Sequence, residues 1–275
     1  MNTSPRANKI ILYIVMVVFA LFFLLPFYVL FATALKSFSE VSASRMWNLP
    51  TIISGEGFAK ALKKLLPNLL NSFYLVIPAT AFSAILGSLN GYVFSKWKFK
   101  GSDVIFPIIL FGMFIPYQSI LPPLVRFLMS IKLYGSIPGL ILTHTVYGLP
   151  ITTLIFRTYY TEVPTEVVEA SNIDGAGILR TYWHIIFPIS LPCFVVVIIW
   201  QFTNIWNEFL FAVVITSNPA KQPITVALVN LAGSQIVEWN AQMAGALLAA
   251  LPPVLVYLLL GRYFLRGLLA GSVKG

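Results

Sequence analysis

The chain has 275 residues, of which 58% are hydrophobic and only 10% charged, and its mean hydropathy is +0.86. A soluble domain carries about a quarter charged residues, so 18 Lys and Arg with 9 Asp and Glu cannot dress a globule of this size in a hydrated surface. The composition is that of an integral membrane protein. The net charge of +9 is not a nucleic-acid footprint, because the basic residues lie in short segments between apolar runs instead of on one face clear of the bilayer; it fits contact with the headgroups of membrane lipid. One cysteine, Cys193, permits no intrachain disulfide, and with only His144 and His184 beside it no metal-site spacing exists.

In chain order, residues 10–35 run without a charge behind Arg6 and Lys9, which is the length and flank of a spanning helix. The run exceeds the roughly 7 to 15 residues of a signal-peptide core, which favours an uncleaved anchor over cleavage at Ala32-Thr33-Ala34. Residues 57–66 place Phe58, Leu62, Leu65 and Leu66 at helical spacing opposite lysines, the pattern of a helix lying on the membrane surface. Further spans are expected at 71–95, 104–125, 137–156, 189–215 (interrupted only by Glu208) and 243–260. The fold class is therefore all-α, a single integral membrane domain over 1–275 with six transmembrane helices. Prolines at 26, 78, 107, 116, 150, 252 and 253 remove backbone donors and kink such helices. With the N-terminus inside, ten of the eighteen basic residues lie on the cytoplasmic side, while Lys36, Arg45, Lys60, Lys63 and Lys64 in the first loop oppose that orientation. Charge alone leaves the topology open.

Function must reside in the spans or in the three longest polar segments, 36–70, 161–188 and 217–242. In the second of these, Pro164 followed by Glu166 is a helix-start pattern and Asp174-Gly175 a stop. Between them Glu166, Glu169, Ala170 and Ile173 fall on one helical face, and a second short segment, 178–185, leads to Phe187-Pro188.

Glu169-Ala170-Ser171, three residues, Gly175, nine residues, Ile185, one residue, Phe187-Pro188 resembles the E-A-A-x3-G-x9-I-x-L-P loop of permease subunits in bacterial ABC importers, departing only at Ser171 and Phe187. Asn71-Ser72, Gly91-Tyr92 with Lys98-Phe99-Lys100-Gly101, Tyr134-Gly135-Ser136, Trp206-Asn207-Glu208-Phe209-Leu210 and the final Gly271-Ser272-Val273-Lys274-Gly275 are similar to the carbohydrate-uptake permeases of the maltose type. The resemblance implies the type I importer permease fold in the bacterial cytoplasmic (inner) membrane, with both termini cytoplasmic and 161–188 as a cytoplasmic coupling loop. It implies a homologous second permease subunit, two ATPase subunits that hold ATP and Mg, and an extracytoplasmic sugar-binding protein. Within the loop it marks Glu166, Glu169, Ala170, Ser171, Asp174 and Gly175 as the ATPase-coupling residues. The carboxylate at Glu169 suits a charge-assisted bond to a basic partner residue, and the small residues Ala170, Ser171 and Gly175 suit close approach. The chain has no G-x-x-x-x-G-K-[ST] loop, so ATP hydrolysis falls to the partner and no cofactor is expected here.

Glu208 is the only acid inside an expected span, and a carboxylate there is a functional-site candidate because its burial is costly. With Trp206 and Asn207 it offers stacking and hydrogen bonding to a sugar; equally, it could pair with the partner subunit and only orient helices. Gln118 and Asn204, with Asn90 and Gln201, are further candidates on the substrate path or interhelical hydrogen-bonding residues. By resemblance, 217–242 reaches toward the binding protein, with Asn230, Ser234 and Gln235 as contact residues. A membrane enzyme would need a motif such as H-E-x-x-H or paired intramembrane acids, which the sequence lacks. A secondary transporter would show inverted repeats and several buried coupling groups. A glycerol-phosphate importer would carry a basic cluster in its spans. The expected cargo is a neutral sugar or glycoside: a mono-, di- or oligosaccharide, or a glycosylated polyol.

Overall fold

The computed structural model describes residues 5–97, 99–233 and 237–270, and among these all regular structure is helical. The long helices are α1 (Pro5–Ala34), α2 (Glu56–Lys96), α5 (Ile137–Glu162) and α12 (Trp239–Ala270). Shorter ones are α3 (Ser102–Phe111), α4 (Tyr117–Ser130), α6 (Thr165–Ile173), α7 (Ile178–Thr181), α8 (Phe187–Ile189), α9 (Leu191–Asn207), α10 (Leu210–Ile215) and α11 (Ile224–Ala232). By length and composition four helices can cross a membrane, and the count reaches six if the pairs Ser102–Phe114 with Tyr117–Ser130, bent by 102°, and Ile178–Ile189 with Leu191–Asn207, bent by 78°, are each one broken span.

Two expectations change and one proline kink is found where expected. The separate surface helix over 57–66 is instead the start of α2, whose 41 residues run unbroken. At about 1.5 Å per residue it is about 60 Å long, roughly twice the hydrocarbon thickness. Asn68 and Asn71, residues that can break a helix by bonding their own backbone, here turn their amides outward. Asn68 Nδ2 donates to the carbonyls of Pro219 at 2.9 Å and Gln222 at 2.8 Å, and Asn71 Nδ2 to that of Ala220 at 2.8 Å. The third expected span does bend at Pro116, as a proline there leads one to expect, because Pro116 forces Ile115 into an extended conformation, φ −73° and ψ 119°. The fifth ends at Asn207, with Glu208 extended at φ −69° and ψ 131° before α10 begins.

The contacts group the residues into two units, those up to 66 with 228–250 and 67–227 with 251–275. In the first, the apolar flanks of α1 are uncovered along their length. Gly57 allows close approach there, since a Cβ at that position would lie 2.7 Å from the Asn240 carbonyl oxygen. Glu238 accepts from Lys60 at 2.7 Å and Lys64 at 3.3 Å, and the hydrogen bond from Lys60 leads in holding its carboxyl below the usual range. In the second unit, Ser83, Gly87 and Gly91 form a stripe of small residues along α2 against which α5 and α9 pack. A Cβ on Gly91 would lie 2.7 Å from the Arg157 backbone nitrogen. Gln201 Nε2 donates to Ser83 Oγ at 2.9 Å and Thr152 Oγ1 to the Ser83 carbonyl at 3.0 Å, so Gln201 is an interhelical hydrogen-bonding residue.

Candidate functional site: a helical loop keyed to the spans, and a polar face on α9

α5 ends at Glu162, Val163 is extended at φ −69° and ψ 129°, and Pro164 opens α6. Lys96, the last residue of α2, donates its ammonium to the Val163 carbonyl and ties the loop's entrance to that helix. α6 then presents Glu166, Glu169, Ala170 and Ile173 outward, as the sequence spacing predicts; Ile173 is 86% exposed. An apolar tip beside two carboxylates therefore stands clear of the rest of the chain.

The Asp174-Gly175 stop is a Schellman motif. The Ala176 N–H donates to the Ser171 carbonyl and the Gly175 N–H to that of Asn172, both at 3.0 Å, while Gly175 takes φ +78°. The motif's glycine therefore has a physical reason: a side chain at this left-handed position strains the turn. Asp174 and Gly175 remain exposed beside α6.

Ser171 does not share that outward face. It is buried, and its Oγ is 2.8 Å from Thr181 Oγ1, so this hydroxyl fastens α6 to α7 at the floor of a groove that Ala170 and Asp174 also line. The reason is the helical period: Val168 and Ser171 are three apart and form α6's inward stripe. Past α7 the chain makes a π-helical turn, Tyr182–Ile186, the kind of wide turn found often at functional sites. Tyr182 Oη donates to Ser88 Oγ at 2.9 Å, and Ser88 Oγ shares a second hydrogen bond of 2.6 Å with Tyr160 Oη. All three residues are fully buried. Tyr92 of α2 packs its ring against Tyr182 and Tyr160 with centroids 5.8 and 6.3 Å apart. Phe187, where the loop motif has Leu, stacks edge-on against Phe194 at 5.1 Å. On the outer side, Ala170, Asp174, Ala176, Arg180, His184 and Ile185 line an open groove, with His184 Nδ1 donating to the Arg180 carbonyl at 2.9 Å.

The expected substrate-path residues separate. Trp206 is only 2% exposed, its ring stacked on Phe202 at 5.5 Å and edge-on to Phe73 at 5.0 Å, so it cannot offer a face to a sugar. Glu208 accepts from the Phe211 N–H at 2.8 Å and the Ala212 N–H at 3.3 Å, capping α10, with His144 Nε2 3.7 Å from its carboxylate. Its place between two helices explains an acid in an apolar run: it satisfies backbone donors that a membrane would leave unpaired. Glu208→Ala should therefore lower stability by about 1–2 kcal/mol, measured by thermal unfolding in detergent. Glu208→Gln, which retains an acceptor, should leave uptake kinetics near wild type, and a large loss of uptake in that variant would return Glu208 to the substrate path.

Asn204 and Asn207 are exposed, each donating to the carbonyl four residues back, Trp200 and Thr203, at 2.9 Å. Gln118 is exposed in the first turn of α4, whereas Asn90 sits 3.5 Å from Thr153 Oγ1 between helices. A residue the sequence reading does not single out is Trp200. It is 50% exposed on the same α9 stripe as Thr203, Asn204 and Asn207, and with Tyr117 and Tyr147 it lines an open cavity of about 480 Å³. The signal was the i, i+4, i+7 spacing of 200, 204 and 207; the contiguous Trp206-Asn207-Glu208 drew the reading away, although a helix turns neighbours to different faces. Asn230 is exposed on α11, and Ser234 and Gln235 lie outside the described residues. Among the described residues no cluster of three or more His, Cys, Asp or Glu side chains could hold a metal.

The family described as "binding-protein-dependent transport system inner membrane component" matches residues 79–269, a stretch that contains the loop and the α9 face. The chain belongs to that family and is a membrane component of such a transport system. It is 36% identical over 287 aligned residues to the xylose/arabinose import permease protein of Haloferax volcanii, covering 95% of this chain and 92% of that protein. It is 55% identical over 168 residues to a probable ABC transporter permease protein of Pyrococcus horikoshii, an alignment that spans 61% of each chain. The fold is similar to that of a chain in the crystal structure of a bacterial ABC transporter involved in the import of the acidic polysaccharide alginate, with TM-score 0.83 and 21% identity over 96% of this chain and 99% of that one.

Proposed function

We propose that the chain is a permease subunit of a binding-protein-dependent ABC importer for a neutral sugar or glycoside, driven by ATP hydrolysis on a partner and without enzymatic activity of its own. The observation that carries this is α6, a helix with an outward face of two carboxylates and a bare Ile173, whose inward residues tie it to the spans in two steps: Ser171 bonds Thr181 of α7, and Val168 packs in the core with Tyr160 and Tyr182, whose hydroxyls meet Ser88 of α2. Such a part takes force from a protein outside the bilayer and delivers it to helices inside. The face suits an ATPase subunit that carries ATP and Mg, two copies of which would serve this permease and a homologous second one. This reading puts 161–188 and both termini in the cytoplasm and turns 217–242 toward an extracytoplasmic binding protein.

The sugar reading is supported by the pentose-importing relative and by the cavity to which Trp200 of α9, Tyr117 of α4 and Tyr147 of α5 contribute rings and no cation for a phosphate, with the exposed amides of Asn204 and Asn207 further along α9. Trp200→Ala should weaken apparent sugar affinity about tenfold, the worth of one lost stacking contact, with the basal ATPase rate retained. Radiolabelled uptake measures it; an unchanged KM removes Trp200 from the path. The function as a whole is tested by the ATPase activity of the reconstituted complex with its binding protein across neutral sugars, glycosides and glycerol phosphates. Stimulation by one neutral sugar is expected. Stimulation by a glycerol phosphate alone would replace the cargo, and an active ATPase stimulated by none would overturn the sugar assignment.

A further inference from the structure

Lys36 is the first charged residue after the apolar run of α1, and its side chain is buried to 1% exposure. An ammonium has three donors; among the described residues Lys36 Nζ makes one hydrogen bond, 2.8 Å to the Arg45 carbonyl, and no carboxylate pairs with it. A buried cation satisfied by a single neutral carbonyl is costly, and compensation calls for an anion from outside the chain.

The space for one adjoins it. Lys36 borders a cavity of about 260 Å³ whose other walls include Val29, Val41, Met46, Trp239 and Met243. Water takes roughly 30 Å³ and needs several polar partners, so walls this apolar suit an amphiphile better than a solvent cluster. The depth is marked by aromatic residues: Tyr28 Oη donates to the Trp47 carbonyl at 2.7 Å, and Trp47 and Trp239 are half exposed. Tyr and Trp collect at the headgroup level of a bilayer. Below them α1 is apolar and uncovered, a surface along which acyl chains can lie.

We infer that this cavity is a phospholipid site, in which the Lys36 ammonium binds the headgroup phosphodiester and the apolar walls take the start of the acyl chains. The site is independent of the transport reading, since it needs only that α1 spans the bilayer. A charged phosphate is the required feature, so a lipid lacking it should bind poorly.

Native mass spectrometry of the detergent-solubilised complex tests the site, with phosphatidylglycerol or diacylglycerol of the same acyl chains added and inorganic phosphate as competitor. Phosphatidylglycerol should be retained about tenfold more tightly than diacylglycerol, and Lys36→Met should erase the preference. Val29→Trp, which fills the cavity and keeps the lysine, should also abolish retention, so the outcome does not hang on one variant's folding. Equal retention of the two lipids, or retention unchanged in both variants, overturns the site. Displacement by millimolar phosphate would make it a free-anion site, and lipid held by the isolated subunit but expelled in the complex would assign the cavity to a neighbouring protein's carboxylate; either result ends the lipid proposal.

Discussion

Glu169→Lys should reduce transport and sugar-stimulated ATPase activity by more than about a hundredfold while leaving the subunit inserted in the membrane. The expectation rests on where the carboxylate points. Glu169 is exposed on α6 beside Ala170 and Ile173, so its removal leaves the chain's own core untouched. A charge-assisted hydrogen bond to a basic residue on a partner is worth roughly 1.5–3 kcal/mol. Charge reversal forfeits that bond and adds repulsion of similar size, together enough for about a hundredfold loss. Uptake in proteoliposomes gives the first readout and co-purification of the ATPase the second. Wild-type transport in the variant would remove α6 from the coupling role.

Ser88→Leu attacks the same linkage from inside. Ser88 Oγ bonds both Tyr182 of the loop and Tyr160 of α5, so the substitution takes a partner from two buried hydroxyls, at about 1–3 kcal/mol for each one left unsatisfied, and forces extra volume into a filled site. The expected result is an assembled complex whose ATPase runs without responding to the binding protein and whose uptake per ATP falls at least about tenfold. Ser88→Thr keeps a hydroxyl and should restore much of the coupling. Equal coupling ratios in the Leu variant and the wild type would show that the hydroxyl cluster holds the loop without transmitting anything.

Much of the loop could be read in the sequence because its signals are local. Pro164 opens α6, Asp174-Gly175 closes it, and the three- and four-residue spacing sets Glu166, Glu169, Ala170 and Ile173 on one face, as in the structure. Ser171 enters the coupling set through the resemblance and not through the outward spacing, and periodicity separates faces without saying what covers each. Only the tertiary position of Thr181 shows that Ser171 is a fastening. Hydropathy gave the long helices α1, α2, α5 and α12 but not the bends, since an apolar run has the same average whether straight or broken at Ile115-Pro116 or Glu208. Glu208 was singled out correctly as an acid that needs a reason in an apolar stretch; the reason is a helix start that no hydropathy average reveals. Trp206 was misjudged because an aromatic beside two polar residues reads as a binding trio in one dimension, while the helix folds it inward against Phe73 and Phe202.

The π-helical turn at Tyr182–Ile186 also changes how the loop's spacing should be understood. The nine residues between Gly175 and Ile185 do not count out a regular helix, since part of that span is wound one residue wider per turn. Length here sets an angle: deleting one residue between 178 and 184, the helical part, would swing Phe187 about 100° around the axis and turn it off Phe194, with which it stacks. Insertions and deletions in its helical part act as rotations of the rod that follows, so the loop should tolerate a substitution at an exposed position better than any change in its count.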